Sequence, residues 1–137
     1  MAKVFIFEYP TLIKVLDGDT LDVHIDVGFG FKAENKRIRL NKIDAPETRT
    51  RNKLEKKAGL KVKKYVFDLL TRNKFKVISE TVTGTYGARI MGDIIFKENI
   101  YLSQHLLDIK YARIYLSKVN GKRVPWSEKS LQYIIDK

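Results

Sequence analysis

The chain has 137 residues, of which 44% are hydrophobic and 11% aromatic, and its formal net charge is +11 at pH 7. This size and composition argue against disorder and favour a single domain over residues 1–137 with a buried core. Cysteine is absent, which excludes disulfides, thiolate metal sites and cysteine nucleophiles.

The first third of the chain predicts three antiparallel strands. Residues 12–16 form a largely apolar run, and residues 21–27 alternate strictly between apolar and polar side chains, which is typical of a half-buried strand. The Asp-Gly step between them is a hairpin signal, and a third alternating strand follows over residues 37–40. We therefore expect a meander in which Asp17 and Asp19 flank the first turn.

The third strand also assigns a face to its arginines. Side chains alternate between the two faces of a strand, so Ile38 and Leu40 on the core side leave Arg37 and Arg39 together on the opposite side.

The apolar periodicity becomes helical after Asn52. Asn52 and Glu55 resemble an N-terminal capping pair, and apolar residues then recur at helical spacing up to residue 69. Strands over residues 75–82 and 89–96 follow, and then a second helix through residues 102–109.

The last part of the chain predicts a loop and a closing helix. Residues 119–123 contain an Asn-Gly step and are predicted to be a mobile loop, and Ser127 can cap the third helix. Three strands, a helix, two strands and further helices suit an α+β fold, namely a five-stranded OB-type β-barrel with three α-helices.

Two acidic segments stand out in this basic chain: residues 17–20, and residues 44–47 preceded by Arg39. Each has a structural explanation, as a hairpin turn or as the turn that opens a helix. A basic protein has little electrostatic reason to keep acids clustered unless they hold a cation, and the basic remainder suits nucleic acid. A divalent metal and an arginine beside a polyanion point to phosphodiester chemistry.

Together with a third segment, these motifs resemble those of the staphylococcal nuclease-like (thermonuclease or micrococcal nuclease) family. The resemblance rests on residues 15–20, on Arg39 five residues before an Asp-x-Pro-Glu sequence, and on Tyr-Gly-x-Arg at residues 86–89 followed by Gly-Asp-Ile. It covers about residues 15–113. It implies a calcium-dependent, sugar-nonspecific endonuclease that hydrolyses DNA and RNA at the P–O5′ bond and leaves 3′-phosphate ends.

The resemblance implies a Ca²⁺ site and assigns its ligands. Asp19, Asp44 and the backbone carbonyl of Ala45 would bind the ion. Asp17 would not bind the ion directly but would lie next to the residues that do. Threonine is common in the family where Ala45 stands, but a carbonyl ligand does not depend on the side chain. Oxygen donors of this kind are those that Ca²⁺ prefers.

The resemblance also assigns the catalytic and substrate-binding residues. Glu47 matches the glutamate beside the attacking water, Arg39 and Arg89 match two phosphate-clamping arginines, and Tyr86 matches a tyrosine near the nucleotide. An extra residue, Ala88, precedes Arg89, which is therefore aligned through the following Gly-Asp-Ile. A second family tyrosine falls at or beside Tyr115 and is left unassigned.

Two other functions fit the same composition. One is a non-catalytic OB-fold module that binds single-stranded nucleic acid, and the other is a scaffold domain with a basic surface. The enzyme is favoured because Asp19, Asp44 and Glu47 would repel phosphate in a simple binder. The expected partners are DNA and RNA, single-stranded or locally open, and the expected state is a monomer.

No apolar run reaches the ~20 residues that span a bilayer, so no membrane partner is expected. The apolar stretch at residues 4–7 is too short for a signal peptide. An intracellular location is therefore favoured, unless the chain is the processed form of a secreted protein.

Overall fold

The computed structural model describes residues 4–80 and 89–137, which form nine strands and three helices. In chain order these are β1 (Val4–Phe7), β2 (Pro10–Asp17), β3 (Thr20–Gly28), β4 (Phe31–Leu40), β5 (Ile43–Asp44), α1 (Lys53–Arg72), β6 (Phe75–Glu80), β7 (Arg89–Phe96), β8 (Ile100–Tyr101), α2 (Leu102–Asp108), β9 (Arg113–Ile114) and α3 (Glu128–Asp136). None of these helices is long and apolar enough to cross a membrane.

The large sheet has the strand order β1-β6-β7-β4-β3-β2, with β8 added beside β7. Its neighbouring strands are antiparallel except for β4 and β7, which run parallel. The meander β2-β3-β4 followed by β7 and β6 is the order of an OB-type sheet, and Cα atoms of β2 and β6 come within 8 Å of each other. The α+β, OB-type prediction is confirmed, including its three helices.

The alternation in β4 is also confirmed. Ile38 and Leu40 are completely buried, whereas Arg37 and Arg39 lie on the other face of the strand. There Arg37 pairs across the sheet with Asp22. The face that carries Arg39 is thus the face on which the acidic residues of β3 lie.

Both predicted helix caps are present. The Oδ1 atom of Asn52 accepts a hydrogen bond from the backbone N–H of Glu55 at 3.1 Å, and α1 begins at the next residue. The Oγ atom of Ser127 likewise accepts from the N–H of Ser130 at 3.2 Å before α3. These local signals fix where the helices start and therefore which of their faces reach the core.

The sequence did not predict β1, β5, β8 or β9. β1 is an edge strand paired with β6, and most of its side chains are exposed, so its sequence lacks the alternation of a half-buried strand. β5 and β9 have two residues each and pair with one another, which places Asp44 opposite Arg113. Elements this short have no periodicity to detect, yet this pair positions the site. The end of the predicted strand at residues 81–82 lies outside the described residues.

Helix α1 packs closely against the two acidic segments through two glycines. A Cβ atom on Gly59 would lie 2.5 Å from the carbonyl oxygen of Glu47 and 2.9 Å from that of Pro46. A Cβ atom on Gly18 would overlap Cγ1 of Val62 on the same helix. The helix therefore supports both the first hairpin turn and the segment that carries Glu47.

We expect Gly59→Ala to destabilise the protein by about 1–3 kcal/mol, because the new methyl group collides with backbone that cannot rotate away. Glycine to alanine inside a helix normally stabilises by up to ~1 kcal/mol, so the sign of the change is diagnostic. The free energy of unfolding from urea titration measures the change. Lys57→Ala, at an exposed position of the same helix, is the control and should stay within ~0.5 kcal/mol of the wild type. A Gly59→Ala protein as stable as the wild type would contradict the close packing.

Candidate active site

A pocket of about 490 Å³ opens where the end of β4, the segment after β5 and the segment after β9 meet. It is lined by Arg39, Asn41, Asp44, Glu47, Met91, Tyr115, Leu116, Lys118 and Arg123. Predicted residues from two separate segments, Arg39 on one side and Asp44 with Glu47 on the other, thus share one cavity. Tyr115, left unassigned from the sequence, lines the same pocket.

Asp19 is buried beside this pocket. Its Oδ2 atom accepts a hydrogen bond from the backbone N–H of Ala45 at 2.8 Å, and its Oδ1 atom accepts from the hydroxyl of Thr20 at 2.8 Å. The Nη1 atom of Arg39 lies 3.4 Å from Oδ2. Burial raises the pKa of Asp19, and the charge of Arg39 and these hydrogen bonds oppose the increase. Asp19 therefore ties the first hairpin turn directly to the 44–47 segment.

Arg39 is held in one orientation by the backbone. Its Nη1 atom donates to the carbonyl oxygens of Leu40 at 2.5 Å and Ile43 at 3.0 Å. Its Nε and Nη2 atoms have no hydrogen-bond partner within the described residues. A fixed guanidinium with free donors at the wall of a pocket can bind an anionic oxygen with little loss of side-chain entropy.

Asp17 joins the same two segments by a second route. Its Oδ1 atom accepts hydrogen bonds from the backbone N–H of Thr48 at 2.9 Å and from the Thr48 hydroxyl at 2.8 Å. The hydroxyl also approaches the carbonyl oxygen of Leu16 at 3.2 Å. Asp17 thus acts by holding the segment after Glu47 against the turn.

Asp44 is bound by two arginines that the sequence reasoning missed. The Nε and Nη2 atoms of Arg113 donate to Oδ2 of Asp44 at 3.0 and 2.9 Å. The Nη2 atom of Arg123 lies 3.0 Å from both carboxylate oxygens and 3.1 Å from the carbonyl oxygen of Ala45. No local motif marks these arginines, because they lie 69 and 79 residues from Asp44 in sequence.

Arg123 connects Asp44 to two glutamates. Its Nη1 atom donates to Oε2 of Glu55 at 2.6 Å, and its Nε atom lies 3.6 Å from Oε1 of Glu47. The same Glu55 oxygen accepts the backbone N–H of Glu47 at 2.9 Å. Glu55, predicted only as part of a helix cap, therefore has a second role in fixing the Glu47 segment.

The Glu47 carboxylate projects from this network toward solvent, with 44% of its side chain exposed. Partial burial raises its pKa, an increase that the positive charge of Arg123 opposes and nearby Glu55, Asp17 and Asp44 reinforce. A carboxylate with a raised pKa, accessible from the pocket, has the character of a proton acceptor.

Two predicted residues cannot be placed in this geometry. Tyr86 lies outside the described residues, as does the extra residue Ala88. For Arg89 the structure describes the backbone alone, which pairs with Arg37 at the start of β7. That position is next to the strand that carries Arg39.

The segment at 119–123, predicted as a mobile loop, contains a tight turn. Val119 and Lys122 exchange backbone hydrogen bonds at 2.9 and 3.0 Å, and Asn120 and Gly121 both adopt positive φ. Arg123 follows immediately. The Asn-Gly step was therefore the available signal for an ordered turn just before Arg123, although it does not identify Asp44 as the partner of that arginine.

Among the described residues, no group of three or more His, Cys, Asp or Glu side chains is arranged to hold a metal ion. The oxygens that the resemblance assigned to calcium belong to the Asp19 and Asp44 carboxylates and the Ala45 carbonyl, and Asp19 accepts the backbone N–H of Ala45. Arg39 lies beside the Asp19 carboxylate, and Arg123 contacts the Asp44 carboxylate and the Ala45 carbonyl oxygen.

Comparison with known sequences matches one family model to most of the chain. The sequence model of the family described as staphylococcal nuclease homologue matches residues 37–132, a span that contains Arg39, Asp44, Glu47 and Arg89. No curated protein sequence matches the chain. The matched span covers well over half of the residues. The chain therefore belongs to the staphylococcal nuclease homologue family and is a nuclease-like or nucleic-acid-binding domain.

Proposed function

We propose that this protein is a calcium-dependent, sugar-nonspecific endonuclease that hydrolyses DNA and RNA at the P–O5′ bond and leaves 3′-phosphate ends. The observation that carries the proposal is the convergence of Arg39, Asp44 and Glu47 on one pocket. An anion-binding arginine, an acid able to hold a cation and a raised-pKa carboxylate are the parts that phosphodiester hydrolysis needs.

The donor set around Asp44 fits a hard cation. Both Asp44 oxygens and the Ala45 carbonyl oxygen converge on one positively charged nitrogen at 3.0 to 3.1 Å, so this point already attracts positive charge. Asp19 accepts a hydrogen bond from the backbone N–H of the same Ala45 residue. Calcium bound to these oxygens would polarise the scissile phosphate and help to orient a water molecule.

The chain's own residues would supply the other parts of the mechanism. Arg39, fixed by two backbone carbonyls, would direct its free donors at a phosphoryl oxygen and would bind it more tightly as negative charge develops in the transition state. Arg89, one strand away, would contribute a second guanidinium. Glu47 would accept or orient the proton of the attacking water, a role worth ~10²–10⁴-fold in rate. Tyr86 would contact the nucleotide.

We infer that the substrate is single-stranded or locally open, because the catalytic side chains lie inside a pocket rather than on a flat surface. The net charge of +11 would attract any polynucleotide, with an affinity that falls as salt rises. The protein would act as a monomer.

A non-catalytic nucleic-acid-binding module is the second candidate, and one observation favours it. Arg113 and Arg123 already pair with Asp44, so the carboxylate has positively charged partners from the chain itself. Cleavage, measured together with binding on one oligonucleotide, separates the two functions.

The first prediction concerns the metal ligands. Asp19→Asn should abolish calcium-stimulated cleavage of single-stranded DNA and weaken calcium binding measured by calorimetry, because an amide is a much poorer ligand for Ca²⁺ than a carboxylate. Asp22→Asn is the control, since Asp22 is also a buried acid, three residues further along in β3, but pairs with Arg37 instead. Full calcium stimulation in Asp19→Asn would contradict the ligand assignment.

The second prediction concerns the arginine clamp. Arg39→Lys retains the charge but loses the planar paired donors, so it should lower kcat by about 10²–10³-fold with a smaller effect on nucleic-acid affinity. Arg37→Lys, on the same face of β4 two residues earlier, should leave kcat close to that of the wild type. Near-normal turnover in Arg39→Lys would mean that charge alone suffices.

The third prediction distinguishes enzyme from binder. Glu47→Gln should lower turnover by ~10²-fold or more, while affinity for the same oligonucleotide at fixed salt persists or improves, because a negative charge near the phosphate is removed. Glu34→Gln makes the same charge change at an exposed position of β4 and serves as the control. A wild-type protein that binds but never cuts at any calcium concentration would establish the binding module.

A further inference from the structure

The guanidinium of Arg123 occupies the point on which two of the three proposed calcium ligands, Asp44 and the Ala45 carbonyl, converge. We propose that Arg123 is a resident cation that competes with calcium for Asp44 and Ala45, so that calcium binds only when Arg123 leaves them. This inference rests on the calcium site of the proposed function. It makes Arg123 a positioning residue that sets the affinity of the site.

The distances exclude simultaneous occupation. The Nη2 atom of Arg123 lies 3.0 Å from each Asp44 oxygen and 3.1 Å from the Ala45 carbonyl oxygen. Calcium binds oxygen at 2.3–2.6 Å, so an ion on these oxygens would overlap the nitrogen and repel its positive charge. One cation must replace the other.

Arg123 is the arginine that can move, because Arg113 is fixed on every side. The Nη1 atom of Arg113 donates to the carbonyl oxygen of Pro125 at 3.0 Å, Nη2 donates to that of Val124, and the guanidinium lies 4.8 Å from the ring centroid of Trp126. Arg113 also contacts a single Asp44 oxygen, and so it leaves the other oxygen available to a metal ion.

Arg123, by contrast, can give up Asp44 without losing all its partners. Its Nη1 atom pairs with Glu55 at 2.6 Å and its Nε atom lies 3.6 Å from Glu47, and neither of these glutamates is among the proposed calcium ligands. Its side chain is 28% exposed, against 19% for Arg113. A small rotation about the Glu55 contact would therefore free the Asp44 and Ala45 oxygens and keep the guanidinium inside the pocket.

The competition predicts a weaker calcium affinity than the oxygens alone would give. The apparent affinity is the intrinsic one multiplied by the fraction of molecules in which the site is open. If Arg123 covers the oxygens about 90% of the time, it weakens calcium binding about tenfold. Removal of Arg123 should therefore strengthen calcium binding.

The experiment is a calcium titration by isothermal calorimetry on the full chain, without nucleic acid and at fixed ionic strength, after removal of metal by EDTA and dialysis. It compares the wild type with Arg123→Gln and Lys118→Gln. Lys118 lines the same pocket, so both variants remove one positive charge from it, but no described carboxylate pairs with Lys118. We expect Arg123→Gln to bind calcium about tenfold or more tightly than the wild type, and Lys118→Gln to differ by less than about threefold.

Thermal unfolding gives an independent readout. Without calcium, Arg123→Gln should melt below the wild type, because Asp44 and Glu55 lose a partner while buried. Saturating calcium should raise its Tm by more than it raises that of the wild type. Arg123→Lys covers the case in which the glutamine variant does not fold. A lysine ammonium lacks the planar fork whose separate nitrogens bind Asp44 and Glu55, so its hold on Asp44 should be weaker and this variant should also bind calcium more tightly than the wild type.

The outcomes separate this inference from the proposed function. Calcium binding to the wild type that is no weaker than binding to Arg123→Gln, or to Arg123→Lys if the glutamine variant does not fold, would overturn the competition and leave the calcium site in place. Binding to the Arg123 variant alone would support the competition in its strongest form. An absence of binding to every folded variant would overturn the calcium site and this inference together.

Discussion

The Asp44 carboxylate is the interaction on which the arrangement of the pocket depends. A buried carboxylate is costly unless it is paired and hydrogen-bonded, and Asp44 meets that requirement through Arg113 and Arg123. These partners come from β9 and from the turn after it, while Arg123 also binds Glu55 on α1. The cost of one buried charge is thus offset by contacts that join three distant parts of the chain. Removing either arginine would leave the charge only partly compensated.

This network also explains how a strongly basic protein keeps an acidic centre. Burial raises the pKa of Glu47, the charge of Arg123 opposes the increase, and the nearby carboxylates of Glu55, Asp17 and Asp44 add to it. The chain therefore supplies positive charge beside these acids through Arg113 and Arg123. These two arginines pair with the buried Asp44, so its charge is compensated by residues of the same fold.

The sequence was sufficient wherever a local pattern determined the structure. The alternation at the end of β4, the caps at Asn52 and Ser127, and the Asp-Gly turn each depend on residues close together in sequence, and the structure confirms them. The alternation predicted for β3 is incomplete, because Asp22 is buried in its pairing with Arg37 and Val27 is exposed. Arg113 and Arg123 depend instead on the pairing of two-residue strands and on a turn far from Asp44. Neither periodicity nor a local motif marks the contacts of these arginines with Asp44, so they can be identified only from the three-dimensional structure.

Gly18 and Gly59 allow α1 to pack directly against the two acidic segments. Each removes a side chain where α1 meets an acidic segment, so that the backbone of Glu47 approaches the helix too closely for any Cβ atom. The helix then acts as a rigid support, to which Glu55 adds a hydrogen bond to the Glu47 N–H. Rigid support confines the Glu47 backbone, while its carboxylate remains exposed at the pocket. Mobility in the pocket is thereby left to side chains, and Arg123 is the one whose movement would change which cation the carboxylates hold.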